Sequence, residues 1–310
     1  MKHNTKITVI LLSMFLITQL IGLFVINFYL QDGNTLPYGF NQQELDTQNS
    51  VSLLVSMLFS IVIAILLVLI LTKVKSVIVM RTWFFIVVCL ALGLTLNAII
   101  FSFRIPNSSI IALGIGIILA YFKVFQRNII LHNLTELLIY PGIAAVFANI
   151  LNVFTLIILL ILIAAYDVWA VWHSGIMQKM AKYQMENVKV FSGFFIPYAS
   201  KKIKDKIKLL KQKYQNRNIP NTTIKKNKIK INLAILGGGD IIFPIISAGV
   251  ILKIWGFVPA LIIILFSFLA LLYLFIFAKK KKFYPAMLYL SPGIILGILV
   301  GWLIKTFILI

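Results

Sequence analysis

Of the 310 residues, 61% are hydrophobic and only 12% are charged, and the mean hydropathy is +1.02. A soluble domain carries about 45–50% apolar and about 25% charged residues, so a soluble enzyme built around one core is excluded. Apolar stretches of about 20 residues recur along the whole chain, the length a bilayer-crossing helix needs. Lipid offers no partner for backbone polar groups, so long continuous runs imply helices, whereas a barrel would show short alternating ones. The expected fold class is an all-α polytopic membrane protein. Its single cysteine, Cys89, excludes a disulfide framework and a cysteine-based zinc site.

Nine spans are expected in chain order, over 7–30, 51–72, 82–103, 108–122, 130–149, 152–173, 231–252, 256–277 and 284–304. The first is too long for the apolar part of a signal peptide and ends without a small-residue cleavage site, so it reads as a retained helix. The fourth is short, and the fifth is interrupted by Pro141-Gly142. Asn133 and Glu136, three residues apart at the start of the fifth, read as a helix-capping pair at the interface. A hydrophilic insert splits the chain into a six-helix part over 1–173, a basic loop over 174–230 and a three-helix part over 231–310. Within that insert, Val188 to Pro197 is apolar enough to lie at the interface or to pair as a short strand.

The net charge of +21 would suggest nucleic acid in a soluble protein, but its distribution points to a membrane surface. With nine spans and a cytoplasmic N-terminus, all but three of the 29 Lys and Arg fall on the inner side. The exceptions are Arg104, Lys253 and Lys305. The positive-inside rule then places the N-terminus in the cytoplasm and the C-terminus outside. The stretch Lys201 to Lys213 reads as a solvated loop attracting anionic lipid head groups. Nothing around it resembles a nucleic-acid-binding fold.

Of the eight acids, Asp167 and Asp240 fall inside apolar spans. A centrally placed Asp costs about 2.5–3.5 kcal/mol on insertion scales, so it marks function by default. Counted along the expected spans, the two lie roughly 9 and 13 Å from the cytoplasmic face at about 1.5 Å per residue. Antiparallel helices joined through the inner loop would let them face each other. Two carboxylates sharing a site of low dielectric do not both ionise readily, which provides a general base and a general acid together. From composition alone, catalysis, an ion or proton relay and polar glue between helices all remain open. Gly237, Gly238 and Gly239 precede Asp240 inside the expected seventh helix, where each costs about 1 kcal/mol relative to Ala. A bare backbone there leaves room for an extended peptide to approach the carboxylate.

Tyr166-Asp167 in the sixth span, Gly237-Gly238-Gly239-Asp240 in the seventh and Pro285-Ala286-Met287 in the ninth resemble the YD, GxGD and PAL motifs. Those motifs mark the presenilins and signal peptide peptidases, the intramembrane aspartyl proteases. Three ordered motifs across nearly the whole chain are more specific than GxGD alone, which also occurs in prepilin peptidases. The resemblance is nearest to archaeal presenilin homologues, and it implies a multi-pass protein of a prokaryotic cell membrane. It further implies an endopeptidase cutting transmembrane helices or signal peptides, with Asp167 and Asp240 as the catalytic pair. Tyr166, the three glycines and Pro285-Ala286-Met287 would then position substrate, and neither a metal nor another cofactor is needed. Met287 stands where the family has Leu, a similar-sized apolar exchange. The run Leu288 to Pro292 looks more like the signal peptide peptidase version.

Other chemistries lack their residues. His132 and Glu136 are four apart, without the second His of HExxH. Ser174 beside His173 has no supporting motif for a nucleophile. Gly293, Gly297 and Gly301 form a GxxxG ladder, read as tight packing on a neighbouring helix, with a homo-oligomer face as the alternative. Tyr166 either hydrogen-bonds near the acids or packs beside them. Pro285 either shapes the cleft or simply starts a helix.

Overall fold

The computed structural model describes residues 5–40, 77–126, 128–173, 191–198, 232–278 and 284–307, with scattered positions between 52 and 70. Among the described residues, eight helices are long and apolar enough to cross a membrane. We label them α1 (Thr5–Leu30), α2 (Val77–Ser102), α3 (Ser108–Phe125), α4 (Ile129–Ile150), α5 (Val153–Val168), α6 (Gly238–Trp255), α7 (Phe257–Phe277) and α8 (Met287–Phe307). A π-helical turn, Trp169–His173, continues α5. Most of the span expected over 51–72 lies outside the described residues, though Ser52, Val55 and Phe59 within it are helical. The stretch Lys201 to Lys213 and His173's neighbour Ser174 lie outside them as well.

Local chemistry explains where these helices begin. Asn128 caps α4, its side chain accepting from the backbone N–H groups of Ile130 and Leu131 at 2.9 and 3.3 Å. Asn152 and Thr155 form a reciprocal capping box at the start of α5. The expected capping role of Asn133 and Glu136 is therefore wrong. With α4 starting at Ile129, both lie beyond the positions whose N–H groups need a cap. Nor does Pro141-Gly142 end α4, which continues through it to Ile150. Thr95 of α2 donates to the Leu138 carbonyl at 2.6 Å, and a β-carbon at Gly142 would collide with the Ala91 carbonyl. The small residue lets α2 press against α4, with the Thr95 donor on Leu138 placed next to Leu137, whose carbonyl Pro141 leaves without its helical partner.

The expected helix over 231–252 is wrong in its first part. Asn232–Gly237 is a strand, β2, paired antiparallel with β1 (Gly193–Tyr198) in the register Gly193 to Gly237 through Tyr198 to Asn232. Along β2, Leu233 is exposed while Ala234 and Leu236 are buried, a period of two. Glycine is the poorest helix former after proline, and the strand ends and α6 is capped at the first of the three, Gly237. The strand read as one alternative over Val188 to Pro197 is present as β1.

The helix α6 sits at the centre, packed against α1, α4, α5, α7 and α8. From Pro244 to Leu252 every residue is buried, so this helix is screened from lipid on all sides. Outer helices expose large apolar side chains such as Ile78, Ile110 and Ile130, as a surface facing hydrocarbon should. The ladder Gly293, Gly297 and Gly301 lies on α7: β-carbons there would press on Ala270, Ile263 and Pro259 respectively. It is an intramolecular packing face.

Candidate active site

Asp167 is the penultimate residue of α5, and Asp240 stands in the first turn of α6, which packs on α5. The depth expected for Asp240, well inside a helix, is corrected by this boundary. An acid in a first turn complements the unpaired N–H groups and the positive end of the helix. Its Oδ2 lies back over Gly237, 3.2 Å from where a β-carbon on that residue would be. Gly237 therefore makes room for the carboxylate itself.

Gly238 makes room for something else. A β-carbon there would stand 2.7 Å from Ser192 Oγ and 2.9 Å from the Tyr140 hydroxyl. Those two groups are 3.3 Å apart. Gly239 is exposed, and among the described residues a β-carbon on it would meet only Phe243 at 3.8 Å. Of the three, it alone presents open backbone.

Asp167 is buried and accepts a hydrogen bond from the backbone N–H of Met287 at 3.0 Å. The two motifs that carry them, 120 residues apart, thus meet at one atom. Ser291 Oγ, one turn further along α8, donates to the Leu160 carbonyl of α5 at 3.2 Å. Pro285 and Met287 are buried and Ala286 is partly so. The helix begins at Met287, so Pro285 lies before it and not at its first position. Its fixed backbone aims the chain into α8. Tyr166 is 42% exposed and packs against Trp169, ring centroids 6.2 Å apart.

Four polar residues of α4 were not foreseen as parts of this neighbourhood. Asn133 clasps β1 with two hydrogen bonds, donating to the Phe195 carbonyl at 3.0 Å and accepting from its N–H at 3.2 Å. His132 Nε2 lies 2.9 Å from the Gly193 carbonyl. Tyr140 reaches Ser192, and Glu136 pairs with Lys123 of α3. Lys123, expected in the loop beyond the fourth span, is buried in the last turn of α3. The signal was available: His132, Asn133, Glu136 and Tyr140 are spaced by one, four and eight residues, which places them on one helix face. Among the described residues no cluster of His, Cys, Asp and Glu could hold a metal ion.

A membrane-buried pair of helices, each bearing one carboxylate and closed by the start of a third, defines a class of acid-bearing membrane protein. Residues 12–307 match the family described as signal-peptide peptidase, presenilin aspartyl protease, and the chain belongs to that family. It is accordingly an intramembrane aspartic protease by family. Two crystal forms of a presenilin family intramembrane aspartate protease share its fold. One, in space group C222, has a TM-score of 0.57 at 17% identity, over 96% of this chain and 99% of the other. The second, in P2, has the same TM-score at 18% identity, over 95% and 96%. No curated protein matches the sequence.

Proposed function

We propose that Asp167 and Asp240 are the catalytic pair of an endopeptidase that hydrolyses peptide bonds within transmembrane segments of other proteins. The observation that carries this is the set of contacts around Asp167: its carboxylate on α5 is held by the first residue of α8, and α6, which bears Asp240 in its first turn, packs on α5. The ionised carboxylate takes a proton from water as the water oxygen attacks the scissile carbonyl. The protonated partner gives its proton to the carbonyl oxygen, and the proton taken from water then passes to the amide nitrogen as the C–N bond breaks. The diol's remaining hydroxyl proton returns to the partner, so one carboxylate is again ionised and the other protonated, as at the start.

A helical substrate must open before water can reach its backbone. The strand β2 ends at Gly237, immediately before α6 and three residues ahead of Asp240, and exposed strand edges accept a further extended segment. Gly239 leaves backbone uncovered beside that point. The topology that suits this reading has nine spans in a 6+3 arrangement with the N-terminus inside and the basic 174–230 segment against anionic lipid. Substrates are single-span proteins or signal peptides in the same bilayer.

The test is direct. Purified protein in detergent micelles is incubated with a single-span substrate, with and without a transition-state-type aspartyl protease inhibitor. Inhibitor-sensitive peptide-bond cleavage is expected. Micelles hold no transmembrane gradient, so a protein that never cleaves there but carries protons in sealed vesicles would be a transporter using the same acids.

A further inference from the structure

The polar face of α4 ends at Asp240 through a chain of contacts that starts on a different helix. Lys123 of α3 and Glu136 of α4 form an ion pair whose side chains are each 1% exposed. Replacing such a pair with apolar residues is often neutral or stabilising, so burial alone does not account for it. The geometry around it does. The Lys123 ammonium lies 3.3 Å from His132 Nδ1. An ammonium has only protons to donate, so Nδ1 accepts, and the neutral imidazole carries its proton on Nε2. That nitrogen is 2.9 Å from the Gly193 carbonyl, to which it donates. The Phe195 ring, its centroid 4.4 Å from the imidazole centroid, covers the same side chain. Gly193 faces Gly237 across the ladder, and Gly237 is the cap residue of the helix turn that bears Asp240. Beside this path, the Tyr140 hydroxyl lies 3.3 Å from Ser192 Oγ, next to Gly193.

We propose that Lys123, Glu136 and His132 form a positioning latch: the ion pair sets the tautomer of His132, which holds Gly193 and, through the strand pair, the backbone that presents Asp240. These are positioning residues, acting through β1 and β2. The inference rests on the reading of Asp240 as catalytic. It assigns a reason for a charged cluster inside apolar helices that neither cleavage chemistry nor packing requires.

The test compares His132→Ala, His132→Gln and the double variant Lys123→Met/Glu136→Gln in the micelle assay, reading kcat, KM and thermal melting. His132→Ala is expected to lower kcat by about 100-fold, the scale of loss from a displacement of about 1 Å, with KM and melting little changed. His132→Gln, whose amide can donate to the same carbonyl, should recover most of that loss. The double variant removes the donor to Nδ1 without leaving a lone buried charge, and kcat should fall as in His132→Ala. Wild-type kcat in a folded His132→Ala, failure of the Gln rescue, or loss of kcat only in step with melting would each overturn the latch. If His132→Ala does not fold, the double variant decides alone. Asp240→Asn is run beside them: retained cleavage there removes the reading of Asp240 itself, whereas a dead Asp240→Asn with a fully active His132→Ala removes only the latch.

Discussion

The first residue of α8, Met287, donates its backbone N–H to Asp167 Oδ2 at 3.0 Å, near the end of α5. A helix start offers N–H groups with no partner in their own helix, and here one of them is given to an acid. Among the described residues Oδ1 of the same carboxylate takes no such bond, which leaves it for water.

That bond can be removed without disturbing the helix. Proline suits a first helical position, since the N–H it lacks is unused by the helix. Met287→Pro should therefore leave α8 intact and lower kcat by roughly 10- to 100-fold, the loss of about 1.5–3 kcal/mol for a hydrogen bond to a charged group. Met287→Ala, which trims the side chain but keeps the N–H, is the control. Equal activity in the two variants would show that the donor does not matter.

Asp167→Ala or Asp240→Ala alone should abolish cleavage, and the double variant should be no worse. Residues that act as one unit are strongly non-additive. The check is product formation in protein that elutes as folded wild type does. Measurable turnover in either single variant would break the pair.

The three glycines should separate by role. Gly238→Ala drives a β-carbon to within 3 Å of the Tyr140 hydroxyl and Ser192 Oγ, so it should lower the melting temperature along with activity. In Gly239→Leu the added β-carbon meets, among the described residues, only Phe243 at an ordinary contact distance of 3.8 Å, and the helix gains propensity over glycine. It should melt no lower than wild type yet raise KM, since it covers the open backbone. Normal KM in that variant would mean that substrate does not pass there.

Cleavage should follow a bell in pH. One carboxylate must be ionised and the other protonated, so the rate falls on the acid side as the base gains a proton. It falls on the alkaline side as the acid loses one. Initial rates over a pH series in micelles give the profile, and the two limbs belong to the pair rather than to either residue. A rate that rises to a plateau with no second limb would leave the reaction with a single titrating group.

Much of this protein follows from local order in the chain. Hydrocarbon demands about 20 apolar residues for each crossing, so span placement depends on composition and little else. The expected ends of most spans fell within a few residues of the observed ones, and Asp167 and Asp240 stood out because carboxylates are costly in apolar helices. The ladder from Gly293 to Gly301 was likewise legible as a packing face. What tertiary structure decided were choices between local alternatives of nearly equal cost. Asn232 to Gly237 is apolar enough for a helix, but β1 offers it strand partners and helix entry waits for the cap at Gly237. Glu136 can cap a helix or pair in the interior, and it pairs because α3 brings Lys123 to it. Gly237 and Gly238 looked like room for substrate. They are room for Asp240's own carboxylate and for Tyr140 and Ser192. Hydrophobic length acts within one segment and can be read along it. A hydrogen bond such as that from Met287 to Asp167 joins segments 120 residues apart, and only packing brings its two ends together.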